Sequence, residues 1–266
     1  MCGFTCVVTR KTPENNGKDF IPKGTLGHRG PDATKEILHN KVRIRHWRLS
    51  IVDLTSHSDQ PIENDNEIFA YNGELYDYKS IGLKYGIVDE GDTRVVMGLL
   101  NSEEGINELQ ESAGFYAYLR YLKNENIIYG SRDRIGKKSL FYYVDDNVAI
   151  FSSEEKGILP FLPKIEVNSK TIGEYFLYKS RFYGQTFFKG VFEIPPGSVF
   201  EFNVTNWNLS FSHDWDWYYK NDLVNWYKKS NNKDFSTLFK EAVQRRIKCD
   251  VSVQIALSGG VDSTTI

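Results

Sequence analysis

Apolar residues come in short runs along the first two thirds of the chain, separated by polar and turn-forming residues. Phe4-Thr5-Cys6-Val7-Val8-Thr9, Val42-Arg43-Ile44, Ile68-Phe69-Ala70-Tyr71, Phe115-Tyr116-Ala117-Tyr118-Leu119-Arg120-Tyr121 and Ile127-Ile128-Tyr129 alternate or cluster at strand length. Gly, Asn and Asp fill the gaps, so the early chain reads as β-rich. Helical patterns interrupt it. Asp92 is a suitable N-cap for a helix over 93–100, and a short helical stretch over 153–159 is expected to stop at Pro160. Residues 203–232, rich in Asn, Trp, Tyr and Lys, read as an irregular connection. Apolar residues at three- and four-residue spacing then predict an amphipathic helix over 235–247, and a strand is expected over 251–257. This organisation gives a domain over 1–202, a linker over 203–232 and the start of a second domain over 233–266.

Composition agrees with a folded, aromatic-rich β protein. Of 266 residues, 40% are hydrophobic, 26% charged and 14% aromatic, enough to bury a large core and favourable to strands. A net charge of −2 gives no reason to expect nucleic acid or an anionic membrane as partner. With no run of about 20 apolar residues and no signal-peptide core at the N-terminus, a cytoplasmic protein is expected.

Three cysteines supply neither a disulfide framework nor a spaced metal site, and no metal is expected. Cys2 and Cys6 face one side of an extended strand but lie roughly 13 Å apart, beyond disulfide reach. Cys6 and Cys249 read as ordinary thiols. Cys2 differs by position, because removal of Met1 would leave one residue carrying a thiol and a free α-amine. The amine, with an ordinary pKa of about 7.7–8.0, can take the thiol proton and later return it to a leaving group.

Several polar clusters accompany this terminus: Arg29 in a Gly/Pro-fixed turn over 28–32, Arg48 ahead of the apolar stretch 49–53, read as a strand, Asn72-Gly73-Glu74 after the strand 68–71, and Asp92 opening a helix. Each alone has an ordinary structural reading as a solvated arginine, a hairpin turn or a helix cap. Together they supply what cleavage of free glutamine requires. A forked guanidinium suits its carboxylate, an acidic side chain its ammonium, and an amide with a backbone N–H the oxyanion formed when a thiolate attacks.

These motifs, with Gln60-Pro61, Arg132-Asp133-Arg134-Ile135-Gly136, Phe151-Ser152-Ser153-Glu154 and Pro195-Pro196-Gly197, stand in the order found in the class II, N-terminal-nucleophile glutamine amidotransferases. Among these the chain most closely resembles the glutamine-hydrolysing asparagine synthetases. The resemblance implies an α+β fold, a four-layer αββα sandwich of two antiparallel sheets, followed by the first helix and strand of an incomplete α/β ATP-pyrophosphatase domain. It implies Cys2 as nucleophile, with Asn72 and Gly73 as oxyanion hole. Arg48, with the backbone of Ile51 and Val52, would hold the glutamine carboxylate; Glu74 and Asp92 would hold the ammonium, and Arg29 would support the site. Lys137-Lys138-Ser139-Leu140 departs from the family, which commonly has Pro before the Leu.

Ser258-Gly259-Gly260-Val261-Asp262-Ser263 resembles the pyrophosphate loop of the synthetases, with Ser258, Gly259, Gly260, Asp262 and Ser263 as the ATP-binding positions. The sequence ends three residues later, so synthetase activity is not expected of this chain alone. The glutaminase needs no cofactor, and ATP and Mg²⁺ would serve only a complete synthetase domain, from a separate polypeptide in a split enzyme. A truncated reading frame is the other explanation of the ending. Glutamine is the expected ligand, a homodimer stays open, and a non-catalytic glutamine-binding or scaffold subunit is the competing reading.

Overall fold

In the computed structural model, which describes residues 1–11, 20–88, 91–182, 184–213 and 234–266, β1 (Gly3–Thr9) lies inside a sheet. It pairs antiparallel with β3 (Val42–Arg48) on one side and β9 (Val148–Ser152) on the other. With β2 (Ala33–His39), β8 (Phe141–Val144) and β10 (Phe192–Glu193) they form a six-stranded sheet in the order β10-β8-β9-β1-β3-β2. A second antiparallel sheet has the order β12-β11-β7-β6-β5-β4, built from β4 (Ile62–Glu63), β5 (Glu67–Leu75), β6 (Gly114–Leu122), β7 (Ile127–Arg132), β11 (Ser198–Asn203) and β12 (Asn208–His213).

Alternation along the strands builds the core between these sheets. Phe4, Cys6 and Val8 of β1, Ile44 of β3 and Phe151 of β9 meet Ile68 and Ala70 of β5, Leu119 and Tyr121 of β6 and Phe200 and Phe202 of β11. Phe151 stacks on Phe200 with ring centroids 4.7 Å apart. The opposite face of the first sheet is also buried, with Val7, Trp47, Phe141 and Ile150 packing against Ile21, Leu26 and Ile158. β1 is covered on both faces, so its sequence is a near-continuous apolar run rather than a clean alternation.

The chain divides into two units. The first comprises Met1–Ser50, Ser56–Glu74 and Gly114–His213, and contains the sheets and helix α4 (Ser169–Tyr178). The second contains Ile51–Thr55, Leu75–Ala113 and the described residues 234–266. Its helices are α1 (Tyr78–Lys84), α2 (Asp92–Leu99), α3 (Glu103–Glu111), α5 (Phe235–Arg246) and α6 (Val261–Thr265). The two sheets with their helices make an α+β sandwich. No helix among the described residues is long and apolar enough to cross a membrane.

Several sequence expectations change. Arg48 ends β3 and no strand forms over 49–53, where Asp53 takes φ 52° and its Oδ1 accepts the N–H and hydroxyl of Thr55. Asn72 and Gly73 lie within β5, not after it, and a Cβ on Gly73 would sit 2.6 Å from the Phe115 carbonyl oxygen. Gly91 is the N-cap of α2 and Asp92 its first residue. The 153–159 stretch leads into two 3₁₀ turns, Glu155–Gly157 and Leu159–Phe161, and Pro160 lies inside the second because its fixed φ suits a first turn. The connection after 202 opens with the β11–β12 hairpin, where Asn203 Oδ1 accepts the Thr205 and Asn206 N–H groups; residues 214–232 lie outside the described set. α5 forms as expected, capped by Asp234, whose side chain accepts the Thr237 N–H at 2.7 Å. Residues 251–257 form no strand; Val251, Val253, Ile255 and Leu257 are all exposed, and no described strand offers them a ladder.

Candidate active site

Cys2 immediately precedes β1, and its backbone is set by two neighbours. Its carbonyl accepts a hydrogen bond from Arg29 Nε at 2.9 Å, while Gly3 pairs with Trp47 of β3. A Cβ on Gly3 would come within 2.8 Å of Arg29 Cδ, so this glycine lets the arginine reach the carbonyl. The Cys2 Sγ lies 3.3 Å from the Leu49 N–H, which donates to it, and 3.4 Å from the Leu49 carbonyl, to which the thiol donates. Both backbone groups of Leu49 therefore fix the position of the sulfur.

Arg29 is held in turn by Glu154, which accepts from Arg29 Nη1 at 2.7 Å and from His28 Nε2 at 3.0 Å. The 28–32 turn is fastened to the end of β3, since Asp32 N–H donates to the Arg48 carbonyl and Asp32 Oδ2 accepts the Ser50 N–H. Gly30 makes this approach feasible: a Cβ there would lie 2.3 Å from the Trp47 carbonyl carbon. Arg48 is buried, and its Nη1 donates to Asp59 Oδ1 at 2.7 Å. That bond orients one edge of the guanidinium fork.

β5 carries the next three candidates. Just before them, Tyr71 is fixed at both backbone groups, its N–H donating to Gln60 Oε1 at 2.6 Å and its carbonyl accepting from His46 Nε2 at 3.1 Å. Full burial, opposed by that hydrogen bond, lowers the His46 pKa to about 4, so the ring is neutral and Nε2 carries its proton at neutral pH. Asn72 is 1% exposed, and neither its Nδ2 nor its Oδ1 has a partner among the described residues. A buried amide of this kind costs free energy unless something bonds it. Glu74 is half-buried; burial raises its pKa while Lys138, Lys137 and the terminal ammonium lower it.

Lys138 is buried, with Nζ 4.8 Å from the Phe115 ring centroid. Burial lowers its pKa, whereas Glu74 and Cys2 act to raise it. The Met1 α-ammonium is pulled down chiefly by burial, opposed by Cys2 and aided by Lys138 and Arg29. Cys2, Arg29, Arg48, Asn72, Gly73 and Glu74 all belong to the first unit.

Ile51, Val52 and Asp92 belong to the second unit. The Ile51 carbonyl accepts the Asp250 N–H at 2.9 Å, and Asp250 Oδ2 accepts the Asp53 N–H at 2.8 Å. Asp92 is buried, and its Oδ2 accepts the Leu75 N–H at 3.0 Å. Ser258, Gly259, Gly260, Asp262 and Ser263 lie around the start of the five-residue α6, and only Ser263 is even half-buried. Ser258 and Ser263 hydroxyls bond each other at 3.0 Å, and Ser258 Oγ accepts the Gly260 N–H at 3.4 Å. The loop's hydroxyls are thus turned on one another, and no strand immediately precedes it among the described residues.

Sequence reasoning gave no role to Glu154, Asp59, His46, Lys138 or Asp250. Glu154 and Lys138 sit in or beside quoted motifs, which was the available signal. The others act through pairings across 11 to 197 residues that no local pattern records. No group of three His, Cys, Asp or Glu able to hold a metal occurs among the described residues.

The family model for a glutamine amidotransferase domain matches residues 1–215, and that for asparagine synthase matches 234–266. The glutamine-hydrolysing asparagine synthetase 3 of Bacillus subtilis is 31% identical over 289 residues, covering 100% of this chain and 44% of the relative. Amidase chyE of Penicillium rubens is 32% identical over 250 residues, covering 91% and 36% respectively. The chain therefore spans less than half the length of either. Among solved structures, glutamine phosphoribosylpyrophosphate amidotransferase from B. subtilis, complexed with ADP and GMP, matches with a TM-score of 0.56 at 16% identity, over 80% of this chain and 49% of that one. That likeness concerns the fold alone. With four fifths of its length matched by one family model, the chain belongs to the glutamine amidotransferase domain family.

Proposed function

We propose that the protein hydrolyses glutamine to glutamate and ammonia, as the amide-nitrogen donor of an asparagine synthetase-type amidotransferase. The observation that carries this reading is the pairing of Cys2 Sγ with the Leu49 N–H beside a terminus that processing can free, together with a buried, unpartnered Asn72 amide on β5. Asparagine synthetase relatives matched over the whole chain support the same reaction class.

In this reading Met1 is removed and the Cys2 α-amine takes the thiol proton. The thiolate adds to the glutamine Cδ, and the carbonyl oxygen becomes an oxyanion that accepts hydrogen bonds from the Asn72 side chain and the Gly73 N–H. Collapse breaks the C–N bond, and ammonia leaves with the proton held by the α-ammonium. Water then attacks the γ-glutamyl thioester, giving up a proton to the amine, and glutamate departs as the thiol is restored. Arg48, with the Ile51 and Val52 backbone, binds the substrate carboxylate, Glu74 and Asp92 bind its ammonium, and Arg29 fixes the Cys2 carbonyl.

No cofactor enters these steps. ATP and Mg²⁺ would serve a complete synthetase domain, of which residues 258–263 match the loop at its start. None of the three cysteines is in a disulfide, and Cys6 is wholly buried as a thiol, which supports a reducing, cytoplasmic setting. The decisive experiment measures glutamate release together with intact mass. Wild type lacking Met1 releases glutamate and Cys2→Ala releases none; a Cys2→Ala protein as active as wild type overturns the assignment.

A further inference from the structure

The loop at 51–53, whose backbone is assigned above to the glutamine carboxylate, has no regular secondary structure to hold it. It is fastened from a distant part of the chain. Asp250 faces it with its N–H and its carboxylate, the N–H donating to the Ile51 carbonyl at 2.9 Å and Oδ2 accepting the Asp53 N–H at 2.8 Å. The two bonds bracket Val52, so its position is determined on either side. The far end of the same short loop is closed by Asp53 Oδ1, which accepts from Thr55.

The rest of the connection gives this clasp its significance. Asp250 lies within residues 234–266, the part matched by the asparagine synthase model, and stands between α5 and the Ser258 turn. α5 is itself tethered nearby, with Arg245 Nε 3.3 Å from Asp77 Oδ2 and Lys248 Nζ 3.6 Å from Asp77 Oδ1.

We propose that Asp250 is a positioning residue for glutamine, holding the 51–53 loop in its substrate-binding shape from within the synthetase-like segment. The role in substrate affinity rests on the glutaminase reading; the clasp itself does not. The experiment uses the full chain and compares wild type, Asp250→Ala and Asp250→Asn for glutamate release over a range of glutamine concentrations, with amide exchange at Asp53 followed in the same samples. Loss of a hydrogen bond to a charged acceptor at a partly exposed site should raise KM about five- to tenfold in Asp250→Ala, with kcat within about twofold of wild type. Asp250→Asn keeps an oxygen acceptor for the Asp53 N–H and should restore most of the affinity. Asp53 exchange should quicken in the alanine variant and stay slow in the asparagine variant. An unchanged KM, or equal exchange at Asp53 in all three proteins, overturns the proposal. If wild type does not turn glutamine over, the glutaminase reading and the affinity role fall together, while the exchange comparison still decides the clasp.

Discussion

Replacing Asn72 with alanine separates two properties that most active-site substitutions lower together. The side chain is 1% exposed and both its polar atoms lack partners among the described residues, so the free protein bears the desolvation of an amide without a compensating bond. That penalty is on the order of 1–3 kcal/mol. Truncation to alanine removes it and leaves a small void costing about 1 kcal/mol, so the two nearly cancel or leave a net gain. Stability should stay level or rise by up to about 2 kcal/mol, which for a chain of this size moves Tm upward by roughly 4–8 °C at most. Catalysis should move the other way. Loss of one oxyanion donor lowers turnover on the order of 100- to 1,000-fold, equivalent to about 3–4 kcal/mol of transition-state stabilisation. Denaturant unfolding and glutamate release, measured on the same preparation, give both numbers. An alanine variant more than about 2 kcal/mol less stable than wild type would mean that the amide is satisfied inside the fold. One retaining a tenth or more of wild-type turnover would remove Asn72 from the oxyanion hole.

Other consequences can be checked as directly. Gly30→Ala places a Cβ 2.3 Å from the Trp47 carbonyl carbon, an overlap that must shift the 28–32 turn or the end of β3. It should cost at least about 1–3 kcal/mol in thermal or chemical unfolding and lower glutamate release as Arg29 moves. Glu36→Gln replaces the carboxylate shared by Arg43 and Arg45, at 2.8 and 2.7 Å, with a neutral amide beside two buried guanidinium groups; unfolding free energy should fall by about 3 kcal/mol. The buried His46, with its pKa lowered to about 4, binds its proton more weakly in the folded protein than in the unfolded chain. Its contribution is therefore complete above the ordinary value of about 6.5 and is lost as pH falls from there to about 4, with a total of roughly 3 kcal/mol. Urea titrations at several pH values test this, and His46→Gln should flatten the slope in that window.

The strands were legible wherever burial is one-sided or continuous, as with β1, the core of β5 and β6, and the helix α5 is plain from its spacing. The order of motifs pointed to the fold class and to the positions that carry the proposed chemistry. What could not be read locally depends on partners far along the chain. Asn72-Gly73 resembles a hairpin turn in isolation, but the strand continues through it because the Phe115 backbone approaches where a side chain would stand. Arg48 looks solvated until Asp59 and the 28–32 turn close around it. The alternating apolar residues 251, 253, 255 and 257 promise a strand, but a ladder needs a neighbour, and alternation alone cannot supply one. Lys138 is an ordinary surface lysine by sequence, yet folding buries it within the electrostatic reach of Cys2 and Glu74.

The grip of Arg29 on the Cys2 carbonyl bears on how such a protein could be matured. Excision of Met1 creates a fresh chain end, and loose ends ordinarily wander. Here the residue that would become first is moored by its oxygen to a guanidinium, and the next residue is paired with the neighbouring strand. In the proposed reaction the freed amine can then exchange protons with sulfur while the residue's oxygen stays held.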